Sequence, residues 1–172
     1  MNTVVLANLI SLVGSLLMVS VGLIRSKKKL VAVQTVQFSI MGISNLMLGG
    51  VSGFISNIIS IARNLFIFRW KLTAVWKAVF IAVQAAVSRA FNHEGLLCVI
   101  PVIAVASYTL VLDTENTVLL KGVILFDQAI WLVYDLLHMN YVAAFFDASS
   151  MVTAAVGIWD FHRQKSKKGA SA

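Results

Sequence analysis

Apolar residues run through this chain in seven long blocks, roughly 3–24, 30–49, 51–69, 73–91, 95–112, 117–138 and 141–161, separated by short polar or glycine-containing breaks. Each block is close to the ~20 residues an α-helix needs to cross the hydrocarbon core of a bilayer. Strands of a membrane barrel would be about half as long and would alternate in polarity, which these blocks do not. The pattern therefore predicts an all-α integral membrane protein with seven transmembrane helices. The breaks at Gly49-Gly50 and Met139-Asn140 are short enough that the helices they join must be antiparallel neighbours.

The polar interruptions within the blocks repeat. A shift of ninety residues carries Gln37, Asn45 and Asn57 onto Asp127, Asp135 and Asp147, in order and without a gap. Blocks one to three and five to seven are then two copies of one unit. A unit of three spans can repeat in the same orientation only if one extra span intervenes, and block four is that connector. The expected organisation is residues 1–71 as the first three-helix repeat, 72–92 as the connecting transmembrane helix, 93–162 as the second repeat, and 163–172 as a small, polar, mobile basic tail. Two parallel repeats in a 3+1+3 order, related by an axis along the membrane normal, match the arrangement of SWEET sugar transporters, with a solute site expected at the repeat interface.

Composition agrees with a membrane protein. The chain is 59% hydrophobic and 12% charged, with mean hydropathy +0.89, too little polarity to cover a soluble globule. Its net charge of +7 would suggest nucleic acid in a soluble domain. Here the basic residues sit in short groups between blocks: Arg25 with Lys27 to Lys29, Arg69 with Lys71, and Arg163 with Lys165, Lys167 and Lys168. The positive-inside rule puts all three groups in the cytoplasm, with the N-terminus outside and the C-terminus inside. Arg89 is then the one basic residue on the external half, and the acidic loop from Asp113 to Asn116 is cytoplasmic. No basic segment precedes the first block, which reads as an uncleaved span rather than a signal peptide. The single cysteine, Cys98, cannot close an intrachain disulfide.

Candidate chemistry follows from the cost of polar groups in a bilayer. Ionisable side chains within spans face a protein interior, a partner or a water-filled cavity. In block six, Asp127, Trp131, Tyr134, Asp135 and His138 follow at helical spacing and share a face; Gln34, Gln37, Met41, Asn45 and Leu48 form the matching stripe in block two. By helical rise, Asn45 and Asp135 lie about 6–8 Å below the external turns, and Asn57 and Asp147 about 10 Å. Two amides and two carboxylates, roofed by Trp131 and Tyr134, can hold a polar solute by hydrogen bonding and stacking. The neighbouring carboxylates would also tend to retain a proton. The competing reading is that these groups only bond helices together. Arg63 lies a few residues inside the cytoplasmic end of block three; it either snorkels to the interface or pairs with Asp127, and such a pair would act as a cytoplasmic gate. Gly14, Gly42, Gly53 and Gly157 read as surfaces for close helix packing. His93-Glu94 and Asp135-x-x-His138 fall short of a metal site, and no nucleophile elbow or phosphate-binding glycine loop occurs, so neither metal, cofactor nor enzymatic activity is expected.

Several of these residues carry a resemblance. The glycine turn followed by Ser56-Asn57 and Ile61-Ala62-Arg63-Asn64, then Trp131-x-x-Tyr134-Asp135 and Asp147-x-Ser149, are similar to the YgjV-type bacterial inner-membrane proteins, placed in the SWEET and PQ-loop superfamily. The resemblance covers nearly the whole chain. It implies the fold above, a bacterial plasma-membrane location and a transport-like role. The chain departs from the superfamily in having one proline, Pro101, and no Pro-Gln pair, so rocking about proline kinks is not expected.

The expected function is transport of a small polar solute across the bacterial plasma membrane. Its site would comprise Gln37, Asn45, Asn57, Trp131, Tyr134, Asp135, Asp147 and Ser149, with Arg63 and Asp127 as gate. The alternative is a receptor or accessory protein of the same fold. The bilayer and the solute are the expected partners, nucleic acid is not, and proton coupling, a homo-oligomer or an accessory subunit are left open.

Overall fold

A computed structural model describes residues 2–21, 27–91, 93–114 and 116–169. The end of the first apolar block (22–24), Arg25, Glu115 and the last three residues of the tail (170–172) lie outside the described residues. Seven α-helices follow one another: α1 (Thr3–Val21), α2 (Lys27–Met47), α3 (Val51–Arg69), α4 (Ala74–Ala90), α5 (Val99–Val111), α6 (Thr117–Leu137) and α7 (Tyr141–Gly169). A short 3₁₀ turn, Gly95–Cys98, leads into α5, and no strand occurs among the described residues. Pro101 falls in the first turn of α5, where proline is tolerated. α7 differs from expectation. It runs on through Arg163 to Gly169 rather than giving way to a separate tail, because the intervening Gln, Lys and Arg residues favour helix and no glycine interrupts them before Gly169.

The repeat is visible in the backbone. In the first copy the Gly50 N–H bonds to the Asn45 carbonyl (2.8 Å) and the Gly49 N–H to the Leu46 carbonyl (3.2 Å). In the second, ninety residues on, the Asn140 N–H bonds to the Asp135 carbonyl (2.8 Å) and the Met139 N–H to the Leu136 carbonyl (3.2 Å). These paired 6→1 and 5→2 bonds are Schellman caps. Each needs a left-handed residue just past the helix, supplied by Gly49 at φ +81° and Met139 at φ +57°. One cap geometry thus turns α2 into α3 and α6 into α7.

The two hairpins are held together crosswise. α2 packs on both α1 and α3, α6 on both α5 and α7; between the halves α1 packs on α7 and α5 on α3, with α4 against α3 and α5. Helix capping follows the same crossing. The Asn8 side chain accepts from the Val142 N–H at the start of α7 (3.0 Å), and Glu94, just before α5, accepts from the Ser52 N–H at the start of α3 (2.7 Å). Val142 and Ser52 are again ninety residues apart. The side of the bundle carrying these caps and both tight turns is called the turn end, and the opposite side, with Arg69, Lys71 and the Lys77–Asp113 ion pair, the basic end.

Polarity is distributed inside out. Among the described residues, polar and charged side chains outnumber apolar ones at the buried positions, while Leu16, Val75, Leu110, Phe145 and Trp159 stand among many large apolar side chains on the outside. An outer surface of this kind needs a nonpolar surrounding, whereas a soluble core would bury those side chains. Among the described residues, two helical segments, Val51–Arg69 and Tyr141–Trp159, are long and apolar enough by themselves to cross a membrane, and Thr3–Val19, Val31–Met47 and Gly95–Val111 are shorter apolar helices.

Candidate functional site

Two buried polar layers occupy the space between the halves. The first lies near the turn end. Asn45 on α2 and Asp135 on α6, each the third residue before its Schellman turn, are 2% exposed and are bridged by Asn140, whose Nδ2 faces Asp135 Oδ1 at 3.3 Å and Asn45 Oδ1 at 3.5 Å. The Asp135 and Asp147 carboxyl groups, on the adjacent helices α6 and α7, are both buried and near enough to interact. Asp147 Oδ2 and Asn140 Oδ1 are left buried without a hydrogen-bond partner. Asn57 is buried as well, but its Nδ2 donates to the Gly53 carbonyl one turn back (2.9 Å).

Tyr134 closes this layer. Its side chain is fully buried, and its hydroxyl accepts from the Gly53 N–H (2.8 Å) and donates to Glu94 Oε2 (3.0 Å). The ring comes so close to α3 that a Cβ at Gly53 would lie 2.7 Å from Tyr134 Cε1, and one at Gly50 2.7 Å from the Tyr134 hydroxyl. Both positions must therefore be glycine for this packing. Trp131 meets Tyr134 edge to face, and His138 stacks on its other side at 4.1 Å between centroids. Glu94 ties the group together: besides the Ser52 N–H and Tyr134, it accepts from Ser52 Oγ (2.5 Å), and His138 Nε2 is 3.5 Å from its Oε2.

The second layer lies toward the basic end. Arg63, 1% exposed, does not reach solvent; Nη1 donates to Thr109 Oγ1 (2.7 Å) and the guanidinium sits over the Tyr108 ring, 5.3 Å from its centroid. Asp127 is near enough for an electrostatic effect, yet it makes no ion pair with Arg63 within 4 Å; its carboxylate is held by the Ser107 hydroxyl. The gate residues are thus neighbours, each bonded to α5 instead of to the other. Gln37 is buried on α2, eight residues or about 12 Å from Asn45, at the depth of this layer.

Of the residues singled out from the sequence, Asn45, Tyr134, Asp135 and Asp147 come together, with Trp131 and Asn57 beside them. Ser149 does not join them, since its hydroxyl donates to the Phe145 carbonyl of its own helix (2.8 Å). Glu94, Ser52 and Asn140 are functional candidates that sequence reasoning missed. Asn140 carried a signal, because the ninety-residue shift aligns it with the turn glycine Gly50. Glu94 carried none: its repeat mate is Val4, and only the loop conformation turns its carboxylate inward. The layer is closed in this structure. One surface cleft lies at the basic end, lined by residues such as Val31, Ile67 and Lys71, another lies along α4, and neither includes any residue of the turn-end layer.

Comparison with the curated proteins and with the solved structures gives no match. A family model described as a bacterial inner membrane protein, Imp-YgjV, matches residues 5–165, which takes in all seven helices up to the start of the basic C-terminal segment. An inside-out bundle with apolar outer faces is what such a location requires, and the chain therefore belongs to the Imp-YgjV family of bacterial inner membrane proteins.

Proposed function

We propose that the chain crosses the inner membrane seven times as a SWEET-like 3+1+3 bundle, with the turn end and N-terminus outside and the basic end and C-terminus in the cytoplasm, and that it moves a small polar solute through the interface of its two repeats. The orientation is supported by the basic groups at one end of the bundle. The inside-out polarity supports spans even for the shorter apolar helices. Membership of the SWEET and PQ-loop superfamily remains a resemblance, strengthened by the parallel repeat and its matched caps.

The observation that carries the transport reading is the convergence of Asn45 and Asp135, from equivalent positions of the two copies, with Asn140 and Asp147 in one buried group that holds unpartnered acceptor atoms. Helix association alone does not call for a carboxyl pair, because serine and amide side chains bond helices without one. In this reading the closed layer is the occluded state, the halves separate to admit solute, and a proton on the Asp135–Asp147 pair accompanies the change. No catalytic step or cofactor enters. One observation favours the alternative of a receptor or accessory subunit: the layer is tightly packed around Tyr134.

Uptake by proteoliposomes over a panel of small polar solutes separates the two. Asp147→Asn should preserve the fold and flatten the pH dependence of uptake, since the first repeat already carries Asn57 at that position. Asp147→Leu should lower both uptake and stability. Normal uptake by Asp147→Leu at every pH would remove this group from the transport path. For the topology, single cysteines at His93 and Arg163 in a Cys98→Ser background should be labelled from outside and inside the cell respectively; external labelling at Arg163 in intact cells refutes the seven-span order.

A further inference from the structure

We propose that the basic-end layer around Arg63 is an anion subsite that takes the carboxylate of a small monocarboxylate with an apolar body. The assignment names a substrate class for the proposed function and rests on that reading for access, but not for its chemistry.

The layer is rich in donors and poor in acceptors. Arg63 is buried on α3 with Nε unpartnered, and the acceptor the structure shows for its guanidinium is the Thr109 hydroxyl, whose own proton goes to the Val105 carbonyl (2.5 Å). Gln34 on α2 donates to the Tyr108 hydroxyl at 3.4 Å, which leaves the phenolic proton to be donated elsewhere. Three helices thus bring a guanidinium, a phenol and an amide together, while the nearby Asp127 is held by Ser107. A buried cation lacking a bonded counter-charge is strongly unfavourable in a membrane interior, and a bound anion relieves it. A carboxylate fits best. Its two oxygens match the guanidinium edge, and beside Asp127 a ligand with one negative charge meets less repulsion than one with two.

A cleft at the basic end stops one helical turn short of the layer. Val31, Ile67 and Leu112 lie one helical turn toward the basic end from Gln34, Arg63 and Thr109, and all three line this cleft of about 590 Å³. That volume suits a small ligand. Val31, Ile67, Phe68 and Leu72 give the cleft apolar walls, with Lys71, Thr73 and Asp113 also lining it, so an aliphatic or aromatic body can occupy it, and the carboxylate reaches Arg63 when the halves move apart at this end.

The test uses the purified full chain in detergent at constant ionic strength. Acetate, butyrate and benzoate, their neutral amides and inorganic phosphate are compared by thermal unfolding and by titration of tryptophan fluorescence. At least one carboxylate should raise the unfolding temperature saturably, while the amides and phosphate do not. Arg63→Lys, which keeps the charge and loses the fork, should weaken that carboxylate roughly tenfold or more. Should this variant fail to fold, Tyr108→Phe keeps the ring beneath the guanidinium and should weaken it roughly five- to tenfold. The proposal is overturned if no carboxylate exceeds its amide, if phosphate binds as well, or if Tyr108→Phe binds unchanged. Uptake of radiolabelled benzoate by proteoliposomes distinguishes the two readings. Binding without flux keeps the subsite and refutes transport; flux of a neutral solute that Arg63→Lys leaves unaltered keeps transport and refutes the subsite.

Discussion

Replacing Glu94 tests how the two halves are joined at the turn end. The carboxylate, 7% exposed, accepts three hydrogen bonds, from the Ser52 N–H, the Ser52 hydroxyl and the Tyr134 hydroxyl, and lies beside His138. Hydrogen bonds to a charged group contribute about 1.5–3 kcal/mol each, and they do not add when they share an acceptor. Glu94→Ala strands the Ser52 N–H at the start of α3 and leaves the Tyr134 hydroxyl proton only the longer contact to Ser52 Oγ (3.2 Å), so the expected loss is about 2–4 kcal/mol. Glu94→Gln keeps the volume and one acceptor oxygen. It loses the charge near the positive end of α3, worth about 0.3–1 kcal/mol, and reverses one donor, for a total of about 1–2 kcal/mol. Equilibrium unfolding in mixed micelles, followed by tryptophan fluorescence, measures both. An alanine variant within about 0.5 kcal/mol of wild type, or a glutamine variant as unstable as alanine, would refute the reasoning.

The two Schellman turns supply a matched pair of tests in the same unfolding assay. Met139→Gly should stabilise by about 0.5–1 kcal/mol, because a left-handed conformation strains a side chain and glycine adopts it freely; Gly49→Ala should cost about 1 kcal/mol by backbone strain alone, since nothing lies within 4 Å of its added Cβ. Equal effects in the two turns would contradict this account. Gly53→Ala should be worse, by about 1–3 kcal/mol, because the added methyl meets the rigid Tyr134 ring and the Asn45 amide at under 3 Å. An unchanged unfolding midpoint would show that the ring can move aside.

The helices were legible because bilayer-length apolar blocks and short breaks leave few alternatives. Blocks 51–69 and 117–138 match α3 and α6 to within a residue at each end. The repeat was legible too, because Gln37, Asn45 and Asn57 mark the same depths as Asp127, Asp135 and Asp147. Pairings across the bundle were not. Asp127 was the acidic residue nearest Arg63 by depth, but depth leaves rotation about the helix axis open, and in the fold Ser107 and Thr109 of α5 come between them as partners. Ser149 failed for a related reason: in an apolar setting its hydroxyl finds the carbonyl of its own helix first.

What the sequence determined by itself is therefore the set of helices, the ninety-residue recurrence of polar positions and the membrane character, all of which follow from one-dimensional patterns of apolar length, spacing and charge. What only the tertiary structure decided is which polar groups meet. The crossed packing of α1 on α7 and α5 on α3 brings Asn8 and Glu94 to helix ends far away in the chain, and sets Arg63 against Thr109 and Tyr108 of α5 with no carboxylate within 4 Å. Such meetings depend on helix rotation and on contacts up to 134 residues apart, and no local pattern encodes either.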